Sequence, residues 1–321
     1  MKKDVRRFGV KGFDISFPPD KPFDVVGLGL NSVDFITVLP GVPSPNSKME
    51  IVDFSPHGGG QVATAMVACS RLGLRAMYIG KVGDDPWGDV SLESIRKEGV
   101  NVSAVTVEPG ARNQFAIILV DQKSGERTIL WRRDKRLFYR EGELSRKAVC
   151  QGRVLHVDGH DLEATLTAVL WAKEEGIVTV MDADKIDART GELIQHIDFL
   201  ITSSTFPMRF TGITDPAKAL DALQEFTGGF VASTLGPDGA VALVDGSPVY
   251  FKGIPIEAVD TTGAGDVFHG AFIYGLIRGW RLDQIFMFAN AVAGLKCTGL
   301  GGRAVPSLEQ VKPYLPDVPP G

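Results

Sequence analysis

The sequence predicts an α/β fold, a doubly wound and mostly parallel sheet flanked by helices. Three observations predict it. Residues 150–230 alternate between short β-branched apolar runs and longer stretches with apolar residues at helical spacing. Such alternation builds a parallel sheet covered on both faces. Glycines cluster just ahead of two helical stretches, at His57-Gly-Gly-Gly-Gln61 and at Asp260-Thr-Thr-Gly-Ala-Gly-Asp266. The length of 321 residues allows one large α/β domain or two smaller ones.

Composition narrows the function. The chain is 44% hydrophobic and 23% charged, ordinary for a soluble globular protein. A formal net charge of −5 argues against a nucleic-acid partner held by bulk charge. No apolar run approaches membrane-spanning length, so no membrane partner is expected. Cys69, Cys150 and Cys297 are scattered without a Cys-x-x-Cys, which points to reduced thiols and a cytoplasmic enzyme. Residues 1–22 are basic, then proline-containing, and lack a signal-peptide apolar region. They are expected to be a surface extension ahead of a single domain over 23–321.

The first strand is expected over 23–30, followed by a polar turn, Asn31-Ser-Val-Asp34. Gly27-x-Gly29 invites a dinucleotide reading, but the third glycine is missing and no acidic residue ends a second strand about 20 positions on. Pro40, Pro43 and Pro45 mark a loop before an alternating strand at 48–54. The glycines at 58–60 open a helix running to Leu72, and three of them allow a ligand to approach the backbone. Residues 114–121 and 126–131 flank a turn and read as a hairpin.

Strands are expected at 153–157, 177–181 and 197–201, with helices at 162–175 and 215–226. Ligands bind at the carboxyl ends of such strands. His156-Val-Asp-Gly-His-Asp161 sits at one of them. It reads either as a metal site built on His156 and Asp158, making a hydrolase the alternative, or as a polar loop offering His160 or Asp161 to a substrate. Asp182 and Asp184 follow the next strand in the same way. Val231 to Gly239 is strand then glycine turn, and 248–256 is a further strand-like run.

The most informative stretch joins that run to a helix expected at 267–280. Gly263 and Gly265 stand at the junction, where free backbone N–H groups and the helix dipole make an anion site. Asp266 falls in the first turn beside it. A carboxylate there can take the proton of a hydroxyl attacking phosphorus.

The string Asp260-Thr-Thr-Gly-Ala-Gly-Asp-Val-Phe-His-Gly-Ala271 resembles the C-terminal signature of the ribokinase-like (PfkB) carbohydrate kinases. Gly58 and Gly59, Arg71-Leu-Gly73 and 79–88 are similar to the family's N-terminal signature, although Ala63 and Gly60 replace residues that usually bond sugar hydroxyls. The Thr64-Ala pair, Leu295-Lys-Cys-Thr and Gly301-Gly-Arg-Ala look most like the ketohexokinase and sulfofructose kinase branch. The resemblance spans about 23–312 and implies an ATP-dependent kinase acting on a small ketose or furanose. A nucleoside kinase, or a non-catalytic sugar- or nucleotide-binding homologue, is the alternative. It implies a small β lid from about 36–56 and 111–134, which in relatives also supplies a dimer contact.

Residue by residue, the resemblance gives Asp266 the role of base, with Gly263, Ala264 and Gly265 forming the anion hole. Asp34, Gly58, Gly59 and Gln61 would hold the sugar. Thr234, Gly236, Gly239 and Asn290 would hold the nucleotide. Asp260 and Thr262 would belong to a monovalent-cation loop for K⁺. The Asn-x-x-Glu that organises Mg²⁺ in many relatives is replaced, with Ser203 and Phe206 at those positions, which leaves Mg²⁺ to phosphates and water.

Overall fold

The computed structural model describes Phe13 and residues 15–124 and 127–315. Most of the expected extension and the centre of the 122–126 turn lie outside these. In chain order the strands are β1 (Phe23–Leu28), β2 (Ser32–Leu39), β3 (Asp53–Gly59), β4 (Ala76–Ile79), β5 (Lys81–Gly83), β6 (Thr106–Glu108) and β7 (Phe115–Asp121). They continue with β8 (Arg127–Arg132), β9 (Gly152–Val157), β10 (Val178–Ala183), β11 (Phe199–Thr202), β12 (Phe230–Thr234), β13 (Ala240–Val244) and β14 (Ser247–Phe251). The helices are α1 (Gln61–Arg71), α2 (Pro86–Arg96), α3 (Arg146–Val149), α4 (Leu162–Glu174), α5 (Thr190–Ile194), α6 (Phe206–Thr211), α7 (Pro216–Phe226), α8 (Ala264–Ile277), α9 (Leu282–Lys296) and α10 (Leu308–Val311).

An eight-stranded sheet in the order β14-β13-β12-β11-β10-β9-β1-β4 forms the body. From β4 through β12 every neighbouring pair is parallel, and β13 and β14 are antiparallel additions. Side chains alternate along each strand, so both faces are apolar. Val25, Val154, Val180 and Ile201 face a core shared with α1, α8 and α9. Val26, Leu155, Met181 and Leu200 face a second core under α4, α5 and α7. The sheet is therefore doubly wound, as expected. Because its central strands run one way, their carboxyl ends share one edge.

A second, four-stranded sheet, β3-β2-β7-β8, stands apart from the first. Three expectations change here. Asn31 to Asp34 is not a turn: Ser32 begins β2, which pairs with β3 and β7 along its length, so Asp34 projects from a strand. The expected strand at 48–54 is displaced to Asp53–Gly59, because pairing with β2 starts at Asp53 opposite Val38. Of the alternation at 48–52 the last residue reaches β2, through Val52 N to Val38 O at 2.8 Å, and Ile51 and Val52 are exposed. The strand-like run 248–256 ends at Phe251 because its partner begins there, at Ala240.

Helix α8 starts at Ala264, earlier than expected, since Gly263 caps it at φ +74°. Among the described residues no helix is long and apolar enough to cross a membrane. Helix α8 lies very close on α1. A Cβ at Gly270 would come within 2.6 Å of Ala68 Cβ and 2.7 Å of Ala65 O. Gly270→Val is expected to lower stability by about 1–3 kcal/mol through overpacking, read from chemical or thermal unfolding. An unchanged midpoint would show that the two helices can part freely.

Candidate functional site

The common edge of the sheet collects the carboxylates. Asp158 follows β9, and its Oδ1 and Oδ2 accept from His160 N at 3.0 Å and Leu30 N at 2.6 Å. Asp182, at the end of β10, accepts from Gln61 Nε2 at 3.1 Å, and Gln61 is the first residue of α1. Asp34 comes from β2 and accepts from Ser32 Oγ at 2.7 Å. Asp266, in the first turn of α8, keeps partial solvent access. Burial pushes its carboxyl above the ordinary range, and the charges of Asp182, Asp34 and Asp158 push the same way. Asp182 is raised by burial, then by Asp158 and Asp184.

Gly263 takes its left-handed turn because Gly302 is packed against it, 2.7 Å from where a Cβ would be. A Cβ on Gly265 would meet open space. The amides of Gly263, Gly265 and Asp266 have no backbone acceptor among the described residues. The expected amide of Ala264 is not free, since it bonds Thr261 O at 3.3 Å. The amides left open at this helix N-terminus are therefore those of Gly263, Gly265 and Asp266, a place that suits an anion.

The glycines of the first signature act differently from the expectation. Gly58 and Gly59 belong to β3, not to a loop. A Cβ on Gly58 would sit 2.2 Å from the Arg303 guanidinium, and one on Gly59 2.0 Å from the Asp34 carboxylate. Their missing side chains make room for these two charged groups. Gly27 and Gly29 likewise leave space for Val62, Met66 and Asp158, which accounts for them without a dinucleotide.

Arg303 was not singled out from the sequence. Its Nη2 donates to Gly59 O at 2.7 Å and to Asn31 Oδ1 at 3.1 Å, and its Nη1 to Ser94 Oγ at 2.5 Å. Arg303 Nε and Asn31 Nδ2 are buried donors without a partner among the described residues. Both lie near Asp34, whose carboxyl burial raises while Ser32 and then Arg303 offset it. His269 was also passed over. Its Nδ1 lies 2.8 Å from Gly265 O and 3.7 Å from Asp182 Oδ2, joining the anion hole to β10.

The nucleotide candidates lie further along the same edge. Thr234 ends β12 and its Oγ1 bonds Thr202 O at 3.4 Å. Gly236, at φ +61°, faces open space, whereas at Gly239, at φ +96°, an added Cβ would come within 2.1 Å of Phe251 O. Asn290 is on α9 as expected, but its Nδ2 holds Phe251 O at 2.9 Å and Lys252 O at 3.1 Å. Ser203 Oγ bonds Asp184 Oδ1 at 2.8 Å, while Phe206 is core.

His156 is fully buried against Val180 O, and burial followed by His269 pushes it down to about 3. It is a neutral core histidine. Among the described residues no group of three His, Cys, Asp or Glu is placed to hold a metal ion. His160 and Asp161 stay beside Asp158, with Asp161 Oδ2 taking Tyr139 N at 2.8 Å. Asp260 and Thr262 do come together ahead of α8, where Thr262 N donates to Asp260 Oδ1 at 2.8 Å.

A carboxylate set over free amides, at the carboxyl edge of a parallel sheet, is the arrangement of a group-transfer enzyme. The pattern of the pfkB family of carbohydrate kinases matches residues 23–309, and the chain belongs to that family. It is 27% identical over 305 residues to the deoxyribokinase of Salmonella typhi, covering 91% of this chain and 98% of that protein. It is 25% identical over 300 residues to the ribokinase of Haemophilus influenzae, covering 90% and 97%. The structure of ribokinase from Thermotoga maritima shares its fold, with a TM-score of 0.78 at 21% identity over 92% of this chain and 100% of that one.

The carboxylate pair gives a titration test. Asp182→Asn removes a neighbouring negative charge, so the Asp266 carboxyl should ionise at lower pH than in the unaltered protein. Carboxyl-carbon NMR of Asp266 reads the shift, and an unmoved or rising pKa would contradict the coupling.

Proposed function

We propose that the chain transfers the γ-phosphoryl group of ATP to a hydroxyl of a small ketose or furanose, with Asp266 as general base. The observation that carries this reading is Asp266 itself, standing beside the free amides of Gly265 and Asp266 and close enough to Asp34 for that charge to raise its carboxyl. The sugar hydroxyl loses its proton to Asp266 as its oxygen bonds to phosphorus, and the bond from phosphorus to the β-phosphate oxygen breaks. The amides and the α8 dipole stabilise charge on the phosphoryl oxygens in flight.

Asp34 and Arg303 grip the sugar, with Asn31 as a further donor. Gly58 and Gly59 serve by making room for the first two, and Gln61 by orienting Asp182. Gly236 leaves the backbone open to nucleotide, and Thr234 lies beside it. Gly239 and Asn290 shape that wall rather than offer it free donors. Mg²⁺, when bound, would offset phosphate charge and would be held mainly by the phosphates and water. Relatives named deoxyribokinase and ribokinase favour a pentose-sized acceptor.

The four-stranded sheet is read as the lid over the sugar and as a dimer contact. Every residue of β8 is exposed, and Leu130 and Trp131 are 53% and 67% exposed on an unpaired edge. An apolar edge of this kind is stabilised by a second copy placed about a two-fold axis. The expected species in sedimentation is a dimer that Trp131→Glu converts to monomer. An unaltered chain that sediments as a monomer would refute the contact.

The catalytic reading is tested by ADP release over a panel of ketoses, aldoses and nucleosides. Asp266→Asn should retain sugar and ATP binding while turnover drops about 10²–10⁴-fold, the usual worth of a general base. Near-normal turnover in that variant would sink the assignment.

A further inference from the structure

In the loop ahead of α8 the oxygens of Asp260 are committed, whereas Thr262 Oγ1 is buried without a hydrogen-bond partner among the described residues. Asp260 Oδ1 accepts from Thr262 N and Oδ2 from Gly301 N, each at 2.8 Å. Asp260 O accepts from the ammonium of Lys296 at 2.7 Å. Lys296 is the last residue of α9 and is 0% exposed, an unusual place for a lysine. A buried ammonium persists only where oxygens and a counter-charge meet it. Here they are Asp260's carbonyl and its nearby carboxylate. Burial alone would raise the Asp260 carboxyl, but Lys296 and the hydrogen bonds from Thr262 and Gly301 hold it below the ordinary value.

The same end of α9 ties the loop twice more. Val259 N and Asp260 N both donate to Cys297 O, at 2.8 and 3.1 Å. The loop then runs directly into Gly263 and the free amides. A potassium ion and an ammonium group are alike in size and charge, and both are satisfied by oxygen.

We propose that the Lys296 ammonium is a tethered cation that holds the 259–262 loop in the shape presenting the anion hole, so the protein needs no added monovalent ion. Lys296 is thus a positioning residue. It touches neither sugar nor nucleotide and acts through the peptide groups of the loop. The rate arm of its test rests on the phosphoryl-transfer reading, and the melting arm does not.

The protein is exchanged into choline chloride and compared with equal ionic strength of sodium, potassium or ammonium chloride. Turnover and melting temperature of the unaltered chain should be the same in all four. Lys296→Met should lose about tenfold or more in turnover in choline, with a lower melting temperature. Potassium or ammonium should restore part of both, a rescue that a merely structural lysine would not allow. The proposal falls if the unaltered chain melts higher or turns over faster in potassium than in choline, or if Lys296→Met matches it in choline. Should the variant fail to fold, the four-salt comparison of the unaltered chain decides. Should no sugar be turned over, the melting temperatures still decide.

Discussion

The site depends on how closely α8 can lie on α1. Gly270 has no side chain, α1 offers Ala65 and Ala68, and Cys69 Sγ reaches Gly270 O at 3.5 Å. Both helices begin at the carboxyl edge of the sheet, so this contact fixes their N-termini side by side. One terminus carries Gln61 and the other Asp266. Two helix dipoles then favour negative charge at the same place. A bulkier residue at the contact would part the helices and draw Asp266 away from Asp182.

That shared positive end explains how so many acids can coexist. Asp34, Asp158, Asp182 and Asp266 gather where water is partly excluded, and burial raises the carboxyls of Asp34, Asp182 and Asp266. Arg303 offsets part of it beside Asp34. Backbone amides satisfy Asp158, and Gln61 satisfies Asp182. Contacts between elements distant in sequence, from Leu30 to Asp158, Gln61 to Asp182 and Arg303 to Gly59, hold this edge together.

Much of this was legible beforehand because it rests on local chemistry. Strand–helix alternation predicted the parallel sheet, since residues 150–230 carry that periodicity in elements buried on both faces. Gly263 and Asp266 were legible because a left-handed cap and a first-turn acid are properties of adjacent residues. β2 was missed because Asn31 and Asp34 look like a turn when their strand partners are unknown. β3 was misplaced because Ser55, Pro56 and the glycines have poor strand propensity, which pairing with β2 overrides. Lys296 and Arg303 were hidden for a different reason. A lysine in the last turn of a helix ordinarily faces solvent, and a lone arginine after two glycines gives no hint that it threads back to β3.

Asp266 and Asp34 are carried on different layers. Asp266 rides on a helix bedded in the large sheet, whereas Asp34 and Gly59 ride on the small one. Between β1 and β2 the chain has only Gly29, Leu30 and Asn31 to bridge the two. Arg127 of β8 also reaches Thr261 Oγ1, just ahead of α8. The placement of Asp34 relative to Asp266 therefore runs through this three-residue link, through Gly60 between β3 and α1, and through the contact of Arg127 with Thr261.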